Sequence, residues 1–133
     1  GKLSQHEDGN TLIELALMLP VLVMLLLGTF DFGNGFRTYI ALANASREGA
    51  RWLTTNPTDA PGARSRVVTE AGRIGLGAAD IVITITPNKT VYVAGEQVSV
   101  KVSHNYHLLF GAIPGIPSVT FNVQSTMRVV YSS

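Results

Sequence analysis

The sequence predicts an α+β fold: a long N-terminal transmembrane helix packed with a second helix on a small antiparallel β-sheet. Three observations predict it. Residues 15–30 hold no charged side chain, a second stretch from Ala63 keeps helical spacing, and beyond residue 80 the apolar residues recur at every second position. The 133 residues amount to one domain and little more. They divide into a transmembrane helix over 10–36 and an extracytoplasmic α+β domain over 37–133.

The apolar run reads Leu15-Ala16-Leu17-Met18-Leu19-Pro20-Val21-Leu22-Val23-Met24-Leu25-Leu26-Leu27-Gly28-Thr29-Phe30. Extending it back to Thr11 admits one charge, Glu14. About 20 residues of helix span the ~30 Å of a bilayer core. A soluble protein burying such a helix needs more chain around it than remains here. Pro20 lies mid-span, where it removes one backbone hydrogen bond and favours a kink. Glu14 is costly in lipid unless it is neutral, reaches the headgroups or meets a cation. A cleaved secretory signal fits less well. The run is long for a signal core, and the small-x-small pattern Ala41-Leu42-Ala43 lies far past it.

After Phe36 the helical pattern turns amphipathic and continues over 37–53, with Leu42, Ala45, Gly49, Trp52 and Leu53 recurring at helical spacing. Ala41, Ala45 and Gly49 form a stripe of small residues that lets another backbone come close, either the domain's own sheet or a neighbouring subunit. Asn56-Pro57 and Pro61-Gly62 mark a stop and a loop. A second helix is expected over 63–76, with Val67, Val68, Ala71 and Ile74 on one face and Arg64, Arg66 and Arg73 on a solvated one.

Strands are expected at about 80–86, 90–103 and 118–131. Ile81, Ile83 and Ile85 alternate with Val82, Thr84 and Thr86; Val98, Val100 and Val102 alternate with polar residues; and Val119, Phe121, Val123 and Met127 do the same. One apolar and one polar face per strand predicts an antiparallel sheet with one side wet. The connection over 106–117 is too apolar for ordinary solvent-facing chain. It either tucks into the domain edge or docks on another subunit or the bilayer interface.

Several chemistries find no support. A net charge of +1 gives no field for nucleic acid, and the three arginines come without interleaved aromatics. With no cysteine there is no disulfide, thiol nucleophile or thiolate metal site. His104 and His107, three apart beside a strand, have no acidic neighbour in sequence, so no metal site is expected. No phosphate loop and no nucleophile–base set stands out. The expectation is a protein that is not an enzyme and carries no cofactor.

Just before the span stands Glu7-Asp8-Gly9-Asn10-Thr11-Leu12-Ile13-Glu14-Leu15. A polar segment ends in glycine, a short neutral run follows, and then a glutamate and a proline-containing apolar helix. This resembles the processing site of type IV pilin-like proteins. With Leu19-Pro20 and Gly28-Thr29-Phe30-Asp31-Phe32-Gly33, it resembles the TadE-like family, minor pilins or pseudopilins of the tight adherence (Tad/Flp) pilus system. The resemblance implies a leader over 1–9, cut between Gly9 and Asn10 by a prepilin peptidase, and a pilin-like fold. It makes Glu14 the fifth residue of the processed chain, where its carboxylate meets a neighbour's new α-amino group and sets the helix register. Gly28, Asp31 and Gly33 become a motif at the outer helix end. The implied partners are the membrane, other pilin or pilin-like subunits and the peptidase. The implied location is the bacterial cell membrane, the extracellular pilus or both. A filament-forming main pilin, or a bitopic protein whose outer domain binds a partner without polymerising, are the alternatives.

Overall fold

The N-terminal half has few helix breakers, and it folds as one helix. The structure, a computed structural model, describes residues 2–109 and 118–130. Helix α1 runs Lys2–Thr55, 54 residues without interruption, or about 80 Å at the rise of an α-helix. The segments expected as 1–9, 10–36 and 37–53 are therefore one element. A lone glycine costs a helix only ~1 kcal/mol, so Gly9 and the Gly33-Asn34-Gly35 run do not stop it. Pro20 lies inside it and leaves the Ala16 carbonyl without its usual donor. The helix ends where Pro57 disfavours helical backbone at Asn56, and the Asn56 N–H still donates to the Trp52 carbonyl at 2.9 Å.

Helix α2 spans Ala60–Gly72, beginning and ending earlier than the expected 63–76. Asp59 is the reason for the start. Its Oδ1 accepts the Gly62 N–H at 3.0 Å, and Pro61 sits in the first turn, where a missing N–H costs nothing. Pro61-Gly62 thus opens the helix and is not loop. At the other end Gly75 takes a positive φ of 84°, which closes the chain away from the helix. Ala63, Val67 and Ala71, one turn apart, are the buried face.

The sheet has three antiparallel strands in the order β1 (Ile81–Thr86), β2 (Gln97–Tyr106) and β3 (Val119–Arg128). Ile83 pairs with Val102 and Val102 with Val123, which puts the expected apolar alternation of all three strands on one face. Residues 90–96, expected as strand, are loop. The buried Tyr92 ring fixes them: its hydroxyl donates to the Pro87 carbonyl at 2.5 Å and accepts the Lys89 N–H at 3.1 Å. Gly95 then turns the chain at φ 93°. The last strand stops at Arg128. Beyond it the Val130 N–H donates to the Thr54 carbonyl at 2.8 Å, tying the chain to the end of α1. Tyr131, expected in that strand, lies outside the described residues, as do residues 110–117 of the apolar connection.

Both helices lie on the apolar face of the sheet. Leu42, Leu53, Val67, Val98, Val100 and Val102 are fully buried between the layers. The wet face carries polar pairs on opposed strand positions: Ser99 with Thr126 at 2.8 Å and Ser103 with Asn122 at 2.7 Å. The fold class is the expected α+β.

Candidate functional site

The first half of α1 is bare. Apolar side chains from Leu12 to Leu26 stand about half to two-thirds exposed, with Leu17 reaching 71%. Among the described residues, none of the most apolar window of the helix Asp8–Thr55 is buried by the rest of the structure. Leaving that surface in water costs ~25 cal/mol per Å², so it calls for lipid or another apolar surface. It is the one helix among the described residues long and apolar enough to cross a membrane.

Gly9, Asn10, Glu14 and Pro20 all fall on this bare stretch. Nothing lies within 4 Å of where a Cβ on Gly9 would stand. Asn10, Glu14 and Pro20 are exposed. Among the described residues the Glu14 carboxylate has no ion-pair or hydrogen-bond partner. These four positions are features of an open helix surface.

Where the apolar run ends, the α+β domain meets the helix. Asp31 is 5% exposed, and its Oδ1 accepts the backbone N–H of Leu109 at 2.8 Å. The Tyr106 hydroxyl points at the Asp31 carbonyl from 3.5 Å. Burial in the first place, and the Asp31 charge in the second, push the Tyr106 hydroxyl above the ordinary tyrosine range. A groove of about 450 Å³ opens here between α1 and the ends of β2 and β3. Its lining includes Gly28, Asp31, Phe32, Gly35, Tyr106, Val119 and Phe121. Of the expected outer-end motif, Gly28 and Asp31 share this groove and Gly33 does not; it is exposed, with open space about it. Gly35 takes that place. A Cβ there would stand 3.6 Å from Phe121 and 3.7 Å from Tyr106. Gly35 lies outside the expected motif, although the spacing Asp31, Gly35, Thr38, Leu42 marks one helix face.

Higher on α1 the small residues face the domain itself. Ala45 and Gly49 are buried and Ala41 is half-buried. A Cβ on Gly49 would stand 2.6 Å from Val67 Cγ2 and 3.3 Å from Val100 Cγ1, so the stripe admits α2 as well as the sheet. Beside it, Ser46 is fully buried, and its Oγ lies 2.9 Å from both the Ala43 carbonyl and Ser125 Oγ of β3.

The arginines of α2 have separate roles. Arg64 Nη1 donates to the Ile83 carbonyl of edge strand β1 at 2.8 Å. Arg66 lies 4.0 Å over the Trp52 ring and pairs with Glu48 at 3.2 Å. Arg73 pairs with Glu70 at 3.2 Å. The Trp52 indole N–H in turn donates to Asp59 Oδ2 at 2.9 Å, so the residue that caps α2 also fastens it to α1. His104 Nδ1 lies 2.7 Å from the Asp80 carbonyl. Among the described residues no three or more His, Cys, Asp or Glu side chains gather where a metal ion would sit.

Comparison with curated proteins and with solved structures gives no match. The family model described as TadE-like protein matches residues 9–51, the part of α1 that carries Gly9, Glu14, Pro20, Asp31 and the small-residue stripe. Over that segment the chain is similar to TadE-like proteins, and the same segment lies within the helix long and apolar enough to cross a membrane.

Proposed function

We propose that the protein is a membrane-inserted, pilin-like structural subunit, a minor pilin or pseudopilin, that takes part in assembling a Tad/Flp-type pilus and has no enzymatic activity. The observation that carries this reading is Glu14, a carboxylate about one helical turn past Gly9-Asn10 that has no partner among the described residues, on a helix whose apolar surface no described residue covers. A prepilin peptidase cutting between Gly9 and Asn10 exposes an α-amino group, charged near neutral pH. Two such helices packed side by side with an axial offset bring that ammonium to a neighbour's Glu14. Each charge is expensive in lipid alone, and the pair is less so. Register follows, because a slip of one turn separates the charges. Gly9 also suits a cut inside a helix: without a side chain it is the weakest helix former there short of proline.

The test uses the full chain in its native membrane. Glu14→Gln is expected to insert and to be cut as the parent is, and to lose co-assembly with the pilus. N-terminal sequencing of the parent is expected to begin at Asn10, and Gly9→Leu to leave an uncut precursor. Undiminished assembly of Glu14→Gln would overturn the reading and leave a bitopic protein that does not polymerise.

A further inference from the structure

We infer that the lower rim of the outer domain, Leu109 and Val119 at the sheet tip with Phe32 and Phe36 on α1, lies in the headgroup–acyl boundary of the bilayer, so that the domain stands on the membrane rather than clear of it. The inference rests on the reading of α1 as a membrane span.

Height along the helix is the first ground. The Leu109 N–H bonds Asp31, one residue beyond the end of the uncharged run at Phe30. At the other end of the sheet, Val130 bonds Thr54. From Asp31 to Thr54 the helix rises about 35 Å, and the ten residues of β3 extend about 33 Å. The sheet therefore runs alongside the helix, and only its tip comes down to the level where the apolar span ends.

Surface character is the second. Phe32, Phe36, Leu109 and Val119 are 77%, 58%, 50% and 42% exposed, and Phe32 stacks on Phe36 at 6.3 Å. This patch follows on from the bare surface of the span, and the first exposed charge past it on the helix is Arg37. Aromatic rings with a polar tip, as in Tyr39 and Tyr106 beside it, favour that depth.

The distribution of charge is the third. In sequence no Lys, Arg, Asp or Glu occurs between Lys101 and Arg128, so Tyr106, Leu109 and Val119 have no charged neighbour along the chain. The opposite end of the sheet carries Arg128, Glu96 and Lys89, the last two paired at 3.0 Å. Among the described residues, charge near the tip is confined to Asp31 and Arg37 on α1 and Asp80 ahead of β1, none of them on the rim's apolar side chains.

The chain has no cysteine, so single cysteines carry spin labels without background. The full chain is placed in vesicles of phosphatidylcholine and phosphatidylglycerol, with labels at Leu109→Cys, Val119→Cys and Phe32→Cys. Leu22→Cys reports the span and Thr84→Cys the wet face of the sheet. Collision with oxygen, enriched in lipid, is compared with collision with a water-soluble nickel chelate. The three rim labels are expected to favour oxygen several-fold over the nickel chelate, ordered between Leu22→Cys and Thr84→Cys. Rim labels that match Thr84→Cys would overturn the inference, since the rim then stands in water. Labels shielded from both reagents would overturn it as well, since protein, either this chain or a second copy, then covers the rim. An aqueous Leu22→Cys would remove the membrane reading itself.

Discussion

The Asp31 carboxylate holds the backbone N–H of Leu109 at 2.8 Å across 78 residues of sequence, joining the point where α1 leaves its apolar stretch to the tip of the sheet. Asp31→Ala leaves that part-buried donor without an acceptor, at a cost of about 1–3 kcal/mol. Hydrogen exchange at Leu109 is then expected to rise by roughly ten- to a hundredfold, while Asp31→Asn, which keeps an oxygen in place, stays near the parent. Unchanged protection of Leu109 in Asp31→Ala would show that the contact does not hold the tip.

Gly49 faces a tighter constraint. Alanine is the better helix former by about 1 kcal/mol, but its Cβ would stand 2.6 Å from Val67 Cγ2. Overpacking of this kind costs about 1–3 kcal/mol, so Gly49→Ala is expected to lower stability on balance. Adding Val67→Ala removes the opposing methyls. The double variant should be more stable than the two single losses sum to, by about 0.5–3 kcal/mol of coupling. Thermal unfolding in detergent micelles reads this directly, and a Gly49→Ala chain more stable than the parent would contradict it.

Tyr106 gives an alkaline signature. Its pKa is raised, by burial and then by Asp31. The stability linked to it is therefore complete below the ordinary tyrosine range and is lost as pH rises through the raised value. In an ultraviolet tyrosinate titration, the component missing from Tyr106→Phe should be the late one. Asp31→Asn should bring it only part of the way down, because burial is the larger cause. A full return to the ordinary range would reverse that ranking.

Glu96 gives the acid counterpart. The Lys89 hydrogen bond first, and the Val93 N–H second, hold its carboxyl below the ordinary glutamate range. The contribution of this loop clip is present above that range and fades as pH falls through the depressed value. Carboxyl-carbon NMR should show the titration of Glu96 moving up in Lys89→Gln. No movement would mean that the lysine contact is not formed in solution.

The fold was legible wherever a single period governed a segment. An uncharged run, Ile81-Ile83-Ile85 and Val98-Val100-Val102 each have one physical reading, and the α+β layout follows from them. Misplaced boundaries fell where a side chain overrode the local pattern. Asp59 turned Pro61-Gly62 from loop into a first helical turn, and the buried Tyr92 ring drew residues 90–96 out of the expected strand. The groove was legible in part. Asp31 and Gly28 stood out in the motif, but the bond of Asp31 to Leu109 joins residues far apart in sequence, and no local spacing reports it. Gly35 is not legible in the sequence because its neighbours Phe121 and Tyr106 come from two strands that only the finished register brings together.

Between Pro20 and Thr55 the chain has no proline and no break in the helix, a rod of roughly 50 Å whose lower part is bare and whose upper part is the lid of the domain core. Such a rod has no swivel. Turning the bare portion about its axis carries the sheet through the same angle, and each residue of offset corresponds to about 100°. The direction in which the sheet faces is thus set far from it, by whatever grips the lower half.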